Sequence, residues 1–327
     1  MLRLLSALLF SIAATMANAR CEGVDLRPHL SSETRARLER EAAKVPFAYG
    51  NHWIATKGSQ SIHVVGTLHI GDKRMRSTMR KLKPIIKSAD LVFLERTTSQ
   101  MAEVGSPIKA FPKLFLMPQG RSLQTMMSQK DWEQLNFKLA FERASPEQVA
   151  RLQPWAVSYI MLGSRCGGLG LTSFKGLDSR IEAIAKHARV PLSGLEENGI
   201  GYRAMSRQPM KDQMRLLKLG LSSRKGFDDH RMTIFGAYFD EAVTEAQILG
   251  NWTLFDDMDV SRAEVTRLRR QVDAQLLDWR NQLWMPVILK RQEKKLFIAV
   301  GAAHLPGRNG ILQLLKNKGY TLTRAAF

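Results

Sequence analysis

Ser61-Ile62-His63-Val64-Val65-Gly66-Thr67-Leu68-His69 and Ala89-Asp90-Leu91-Val92-Phe93-Leu94-Glu95 are the two stretches whose reading decides the fold. Each is a short apolar, β-branched run, too brief for a buried helix, which reads as a strand. Between them Arg76 to Ser88 reads as a basic helix, disturbed or started by Pro84. Strand, helix and strand within about 35 residues is the pattern of a βαβ unit, whose strands lie parallel.

The same alternation returns further along. Leu171 to Gly176 reads as a short strand ending at Leu177-Asp178, Ser179 to Arg189 as an amphipathic helix, and Val190 to Leu195 as a strand ending at Glu196-Glu197. Leu296-Phe297-Ile298-Ala299-Val300 is a continuous apolar strand running into Gly301-Ala302-Ala303-His304, followed by a helix around Ile311–Lys318 and a last strand at Tyr320–Arg324. Two long intervals, about 100–170 and 205–292, read as helical insertions. In the first, Ser145-Pro146-Glu147-Gln148 is a helix start, with serine as cap, proline in the first turn and glutamine reaching back. In the second, Leu216, Leu217 and Leu219, then Ile234, Phe235, Tyr238 and Phe239, fit buried helix faces, and Val260 to Lys290 reads as one long helix kinked at Pro286. Residues 20–49 are peripheral, with a helix capped at Ser31 or Ser32 and running to about Lys44. Val64-Val65-Gly66-Thr67-Leu68-His69 echoes Ala299-Val300-Gly301-Ala302-Ala303-His304, and Leu94-Glu95 echoes Leu195-Glu196. The expected architecture for 50–327 is α/β: a mixed, largely parallel central sheet of two pseudo-symmetric halves with helical insertions.

The first 19 residues read as a signal peptide. Arg3 supplies charge, Leu4 to Ala14 is apolar or small throughout, and Ala17-Asn18-Ala19 offers small residues where a signal peptidase reads. The apolar run is shorter than the roughly 20 residues that span a bilayer. Cleavage after Ala19 is expected, making the protein periplasmic or secreted. A lipidated Cys21 is the rival reading, opposed by Arg20 where a small residue is expected. The two cysteines, Cys21 and Cys166, could pair in an oxidising compartment; their spacing does not decide it and is no zinc motif.

A composition of 44% hydrophobic and 24% charged residues is that of a globular chain and excludes a disordered or fibrous one. The formal charge of +19 becomes +18 when Arg3 leaves with the leader. Local clusters at Lys73–Lys87 and Arg262–Arg270 could meet an anionic envelope surface, or could be plain solvated surface. Basic residues are not interleaved with aromatics, so no nucleic-acid partner is expected.

In open α/β sheets the ligand site lies beyond the carboxyl ends of the strands, where His69, Glu95, Glu196 and His304 all fall. Histidine offers a lone pair to a metal or moves protons. Carboxylates complete a divalent-metal site suited to manganese, cobalt, zinc or iron, or act as a general base. A single Gly-x-x-His after a strand is common and more often structural; two of them with two strand-end glutamates point to a shared site. Arg280 and Asn281 could brace a carboxylate or meet an anionic group, and Asp178 is a supporting candidate. The other histidines read as ordinary surface or core residues: His63 within a strand, His187 in a helix, and His29, His52 and His230 at loop or helix-end positions.

Gly66-Thr67-Leu68-His69, Leu94-Glu95, Pro154-Trp155, Gly176-Leu177-Asp178, Leu195-Glu196, Arg280-Asn281, Val300-Gly301-Ala302-Ala303-His304-Leu305 and Gly319-Tyr320 resemble, in their order and spacing, the signature of the TraB/GumN family. The resemblance implies a fold related to the Tiki proteases and erythromycin-esterase-like proteins. It implies a metal-dependent hydrolase acting on a peptide or protein substrate, with His69, His304 and Glu95 as metal ligands. Glu95, Glu196 and Arg280 are then the candidate catalytic residues. A haem- or metal-binding envelope protein without turnover is the alternative that the same fold relatives imply. Arg96 after Glu95 and Glu197 after Glu196 depart from the pattern; Arg96 could pair with a site carboxylate or with substrate.

Overall fold

The computed structural model describes residues 23–140, 145–163, 176–222, 225–253 and 260–327. The signal-peptide reading, Cys21, Cys166 and the strand expected at Leu171 lie outside these residues. Among the described residues six strands form one mixed sheet: β1 (His52–Lys57), β2 (Gln60–Thr67), β3 (Leu91–Leu94), β4 (Leu192–Gly194), β5 (Lys295–Gly301) and β6 (Thr321–Arg324), in the order β4-β3-β5-β2-β1-β6. The run β4-β3-β5-β2 is parallel, and β1 and β6 extend it as antiparallel neighbours.

The two inner parallel strands, β3 and Leu296–Val300 of β5, are apolar because both of their faces are covered. Alternation along β5 sends Leu296, Ile298 and Val300 into one core and Phe297 and Ala299 into the other. β3 divides in the same way, Leu91 and Phe93 against Val92 and Leu94. Trp284, Met285 and Ile288 of helix Trp279–Leu289 and Ile311, Leu312 and Leu315 of helix Ile311–Asn317 cover the first face. Helices Met75–Lys87 and Leu177–His187 cover the second, with Tyr238 of helix Lys225–Phe239. The helical insertions build a further cluster from Leu123, Trp132, Leu135, Trp155 and Leu217.

The capping readings hold in atomic detail. Ser31 accepts from the Thr34 N–H at the start of helix Ser32–Ala43, and Ser145 and Gln148 close a reciprocal capping box. Three expectations are corrected. Leu177-Asp178 opens a helix rather than ending a strand. The reading of Val260 to Lys290 as one helix gives way to Arg262–Asp273, a five-residue π-helical turn at Ala274–Asp278, and Trp279–Leu289, so the irregularity lies before Arg280. His230 sits within helix Lys225–Phe239, and His52 is buried at the start of β1, rather than both in loops or at helix ends. Among the described residues no helix is long and apolar enough to cross a membrane.

Candidate functional site

All four parallel strands end in a side chain of one site. His69 follows the end of β2 by two residues, and Glu95 follows β3 directly. β4 continues its pairing past Gly194 through Leu195 N–H to Leu94 O (2.8 Å) and Glu196 N–H to Glu95 O (3.2 Å), which sets the two glutamates side by side. β5 ends at Gly301, and the short turn Ala302–His304 brings His304 back over the strand ends.

Arg280 holds the centre. Its Nε and Nη2 donate to the two oxygens of Glu196 (2.8 and 2.9 Å), and Nη2 also donates to Glu95 Oε2 (2.7 Å). Nη1 donates to the Leu276 carbonyl in the π-helical turn (3.3 Å) and to His304 Nε2 (3.2 Å). Trp284, one turn further on the same helix, lies under the guanidinium at 4.8 Å and donates its indole N–H to Glu196 Oε2 (3.2 Å). Glu196 has a side chain 1% exposed, so its charge is tolerable only with these donors.

The histidines are held differently. Asn281 Nδ2 donates to the carbonyls of His304 (3.2 Å) and Asn309 (2.9 Å). Its Oδ1 is therefore the acceptor facing His304 Nδ1 (2.7 Å), and His304 carries its proton on Nδ1. The Nε2 lone pair then receives the Arg280 N–H. His69 stands at the surface with its side chain 63% exposed. Its Nδ1 pairs with Asp178 Oδ2 (2.9 Å), while the Thr67 hydroxyl donates to Asp178 Oδ1. His69 Nε2 is left facing outward.

Gly176 is required by close approach, and Gly301 is closely approached. A Cβ on Gly176 would stand 2.4 Å from the His69 carbonyl carbon and the Leu68 oxygen, so only glycine lets helix Leu177–His187 press Asp178 toward His69. A Cβ on Gly301 would stand 3.2 Å from Glu95 Oε1, 3.5 Å from His304 Cδ2 and 4.0 Å from His69 Nε2. Gly301 is thus the floor beneath those three groups, and its N–H donates to Glu95 Oε1 (2.7 Å).

The electrostatics separate the two histidines. Asp178 foremost raises the His69 pKa to about 9, with Glu95 adding to the effect and Arg280 opposing it. Burial foremost lowers that of His304 to about 3, with Arg280 and His69 acting in the same direction and Glu95 against it. Burial would raise the Glu95 carboxyl, but Arg280, then His304 and His69, hold it well below the usual carboxylate range. Glu196 goes the other way: burial, with Glu95 beside it, outweighs Arg280.

The expected site residues His69, Glu95, Glu196, Arg280 and His304 meet in one place, although 235 positions separate the first from the last. His69 Nε2 and Glu95 Oε1 lie around the same space above Gly301 and have the donor chemistry of a divalent-ion site. His304 would join them only by releasing Arg280, and among the described residues no three His, Cys, Asp or Glu side chains stand ready to hold one ion. Thr67 and Trp284 also belong to the site. The spacing of Trp284 four residues after Arg280 signals the second; Thr67 lies inside the Gly66-Thr67-Leu68-His69 motif, but nothing in that motif shows its bond to Asp178.

The family model for the TraB/PrgY/gumN family matches residues 51–324. The chain is 22% identical over 275 residues to the uncharacterized protein YbaP of Escherichia coli K12, covering 82% of this chain and 94% of that protein, and equally to YbaP of Shigella flexneri. The match spans the whole sheet and every residue of the site, and the chain belongs to the TraB/PrgY/gumN family.

Proposed function

We propose that this protein is an exported hydrolase that cleaves a peptide bond at His69 and Glu95. The observation that carries this reading is the asymmetry of the two histidines: His304 is buried and spent on Asn281 and Arg280, whereas His69 presents an unspent Nε2 to solvent, backed by Asp178. With its pKa near 9, His69 holds a proton on Nε2 at neutral pH, suited to donation to a leaving nitrogen or a developing oxyanion. Glu95, ionised and fixed by Arg280 and Gly301, retains lone pairs to orient an attacking water and accept its proton as the C–O bond forms, while the proton of His69 goes to the nitrogen as the C–N bond breaks. Arg280 and Glu196 hold Glu95 in place, so little reorganisation accompanies reaction.

A divalent ion would be held by His69 and Glu95, where it would polarise the carbonyl under attack and lower the pKa of a bound water. Loading it requires His69 to lose its proton, so affinity should rise with pH up to about 9. The choice of a peptide substrate rests on the resemblance to the Tiki proteases, and export rests on the leader-like residues 1–19. Helix Met75–Lys87, with Arg76, Arg80, Lys81, Lys83 and Lys87 exposed on one side, is the surface proposed to face an anionic envelope.

The test is a peptide-library screen on residues 20–327, read by mass spectrometry, in chelator and in added manganese, cobalt or zinc. Cleavage in any of these conditions supports the reading. No cleavage in any condition, with a Soret shift on adding haem that His69→Ala abolishes, would replace it with the binding-protein alternative.

A further inference from the structure

We infer that Arg96, carried on the ring of Tyr202, selects a substrate bearing a carboxylate next to the reaction centre. This rests on the hydrolase reading of the same site and adds the class of substrate it takes.

Arg96 follows Glu95 directly, so its backbone is fixed by the end of β3. Its side chain is 23% exposed, neither sunk in the core nor free in solvent. The two nearby carboxylates take their hydrogen bonds from other donors, and Arg96 adds only its charge at a distance. Glu196 already accepts two N–H groups of Arg280 and the indole N–H of Trp284, and Glu95 accepts from Arg280 and Gly301. What remains for Arg96 is a 3.8 Å approach of its Nε to Glu196 Oε1, which is beyond hydrogen-bond reach. Among the described residues its guanidinium makes no hydrogen bond, and five N–H donors are unspent.

The guanidinium is nevertheless held. It lies over the Tyr202 ring at 5.4 Å. Tyr202 is set edge-on against Phe115 at 5.0 Å and lies 6.1 Å from Phe111, so its platform belongs to the packed helical insertion. Tyr159, 42% exposed, stands close enough to feel the charge of Arg96. A stacked guanidinium has lost little freedom left to lose, and its planar fork matches a carboxylate in two parallel hydrogen bonds. Partial burial strengthens such a pair relative to one in open water. A structural arginine would be expected to spend its donors on carbonyls or carboxylates of its own chain, as Arg280 does.

The matching group on a peptide is either its C-terminal carboxylate or an acidic side chain. Binding of three probes to residues 20–327 separates them by calorimetry or ligand-observed NMR: N-acetyl-Ala-Ala with a free carboxylate, the same dipeptide as its amide, and N-acetyl-Asp-Ala amide. The expected result is that one carboxylate probe binds about tenfold tighter than the neutral amide, a factor worth about 1.4 kcal/mol. The stronger of the two charged probes names the source. In Arg96→Gln the preference should vanish, and Arg96→Lys, which keeps the charge but not the fork, should restore only part of it. Equal binding of charged and neutral probes, a preference that survives Arg96→Gln in a folded variant, or no binding of any probe to its solubility limit would each overturn the inference. Binding is read without turnover, so failure to cleave would count against the hydrolase reading and not against this one.

Discussion

Arg280→Met removes the cation between two carboxylates while keeping most of the side-chain volume. Arg280 makes three charge-assisted hydrogen bonds of 2.7–2.9 Å, to Glu95 and to both oxygens of Glu196, and its side chain is 10% exposed. Removing one partner of a buried ion pair costs about 3–5 kcal/mol, because the remaining charge is left uncompensated. With an unfolding entropy of about 2.1 cal/mol/K per residue over roughly 300 residues, each kcal/mol is worth about 1.6 °C, so the melting temperature should fall by about 5–8 °C at pH 8. The deficit should shrink in acid. Without Arg280 both carboxyls would have folded pKa values above their unfolded value near 4.5, and a group raised in this way contributes stability below the unfolded value that is lost as pH rises through the folded one. In the native protein Glu95 behaves oppositely: its depressed pKa gives stability above 4.5 that is lost as pH falls. The two proteins should therefore differ most at pH 8 and least near pH 4–5. Differential scanning calorimetry across that range is the assay. A loss below about 1 kcal/mol, or one that does not change with pH, would refute the placement of Arg280 as the counter-charge for both glutamates.

Asp178→Asn removes the leading cause of the raised His69 pKa, and ¹³C-histidine NMR should show that ring titrating at or below 6.5 instead of about 9; titration still near 9 would mean another group supplies the charge. Gly301→Ala puts a methyl 3.2 Å from Glu95 Oε1 in a backbone conformation that alanine accepts, so circular dichroism should show an intact fold while peptide cleavage falls at least about tenfold; unchanged cleavage would remove Gly301 from beneath the site. Burial lowers the pKa of His63 to about 4 and of His230 to about 3, so each supports folding above 6.5 and progressively less as pH falls toward those values. His230→Gln should flatten the stability loss between pH 6.5 and 4 in urea titrations, and an unchanged slope would contradict the burial of His230.

The central strands were legible because β3 and β5 are buried on both faces, which writes an unbroken apolar run into the sequence. The glutamates and histidines were legible because strand ends fix one edge of such a sheet as the ligand edge. β1 escaped notice although Gly58-Ser59 forms a two-residue hairpin loop closed by Lys57 and Gln60. Its alternation is blurred by His52 and Lys57, and burial of His52 depends on pairing with His63 across the strands, Nε2 to Nδ1 at 3.0 Å, which no local pattern records. The division of labour between His69 and His304 was invisible for a related reason. Both follow the same Gly-x-x motif, and what distinguishes them is Asp178 on one helix and Asn281 and Arg280 on another. The π-helical turn that precedes Arg280 has no compositional mark in Ala274-Gln275-Leu276-Leu277-Asp278.

The most direct measurement compares the initial rate of cleavage of the best library peptide by residues 20–327, by His69→Ala and by Glu95→Gln, with folding of each verified by circular dichroism. A fall of at least about a hundredfold in both variants is expected if His69 moves the proton and Glu95 orients the water. Rates in His69→Ala equal to those of the unaltered protein would contradict the assignment of the reaction to this site.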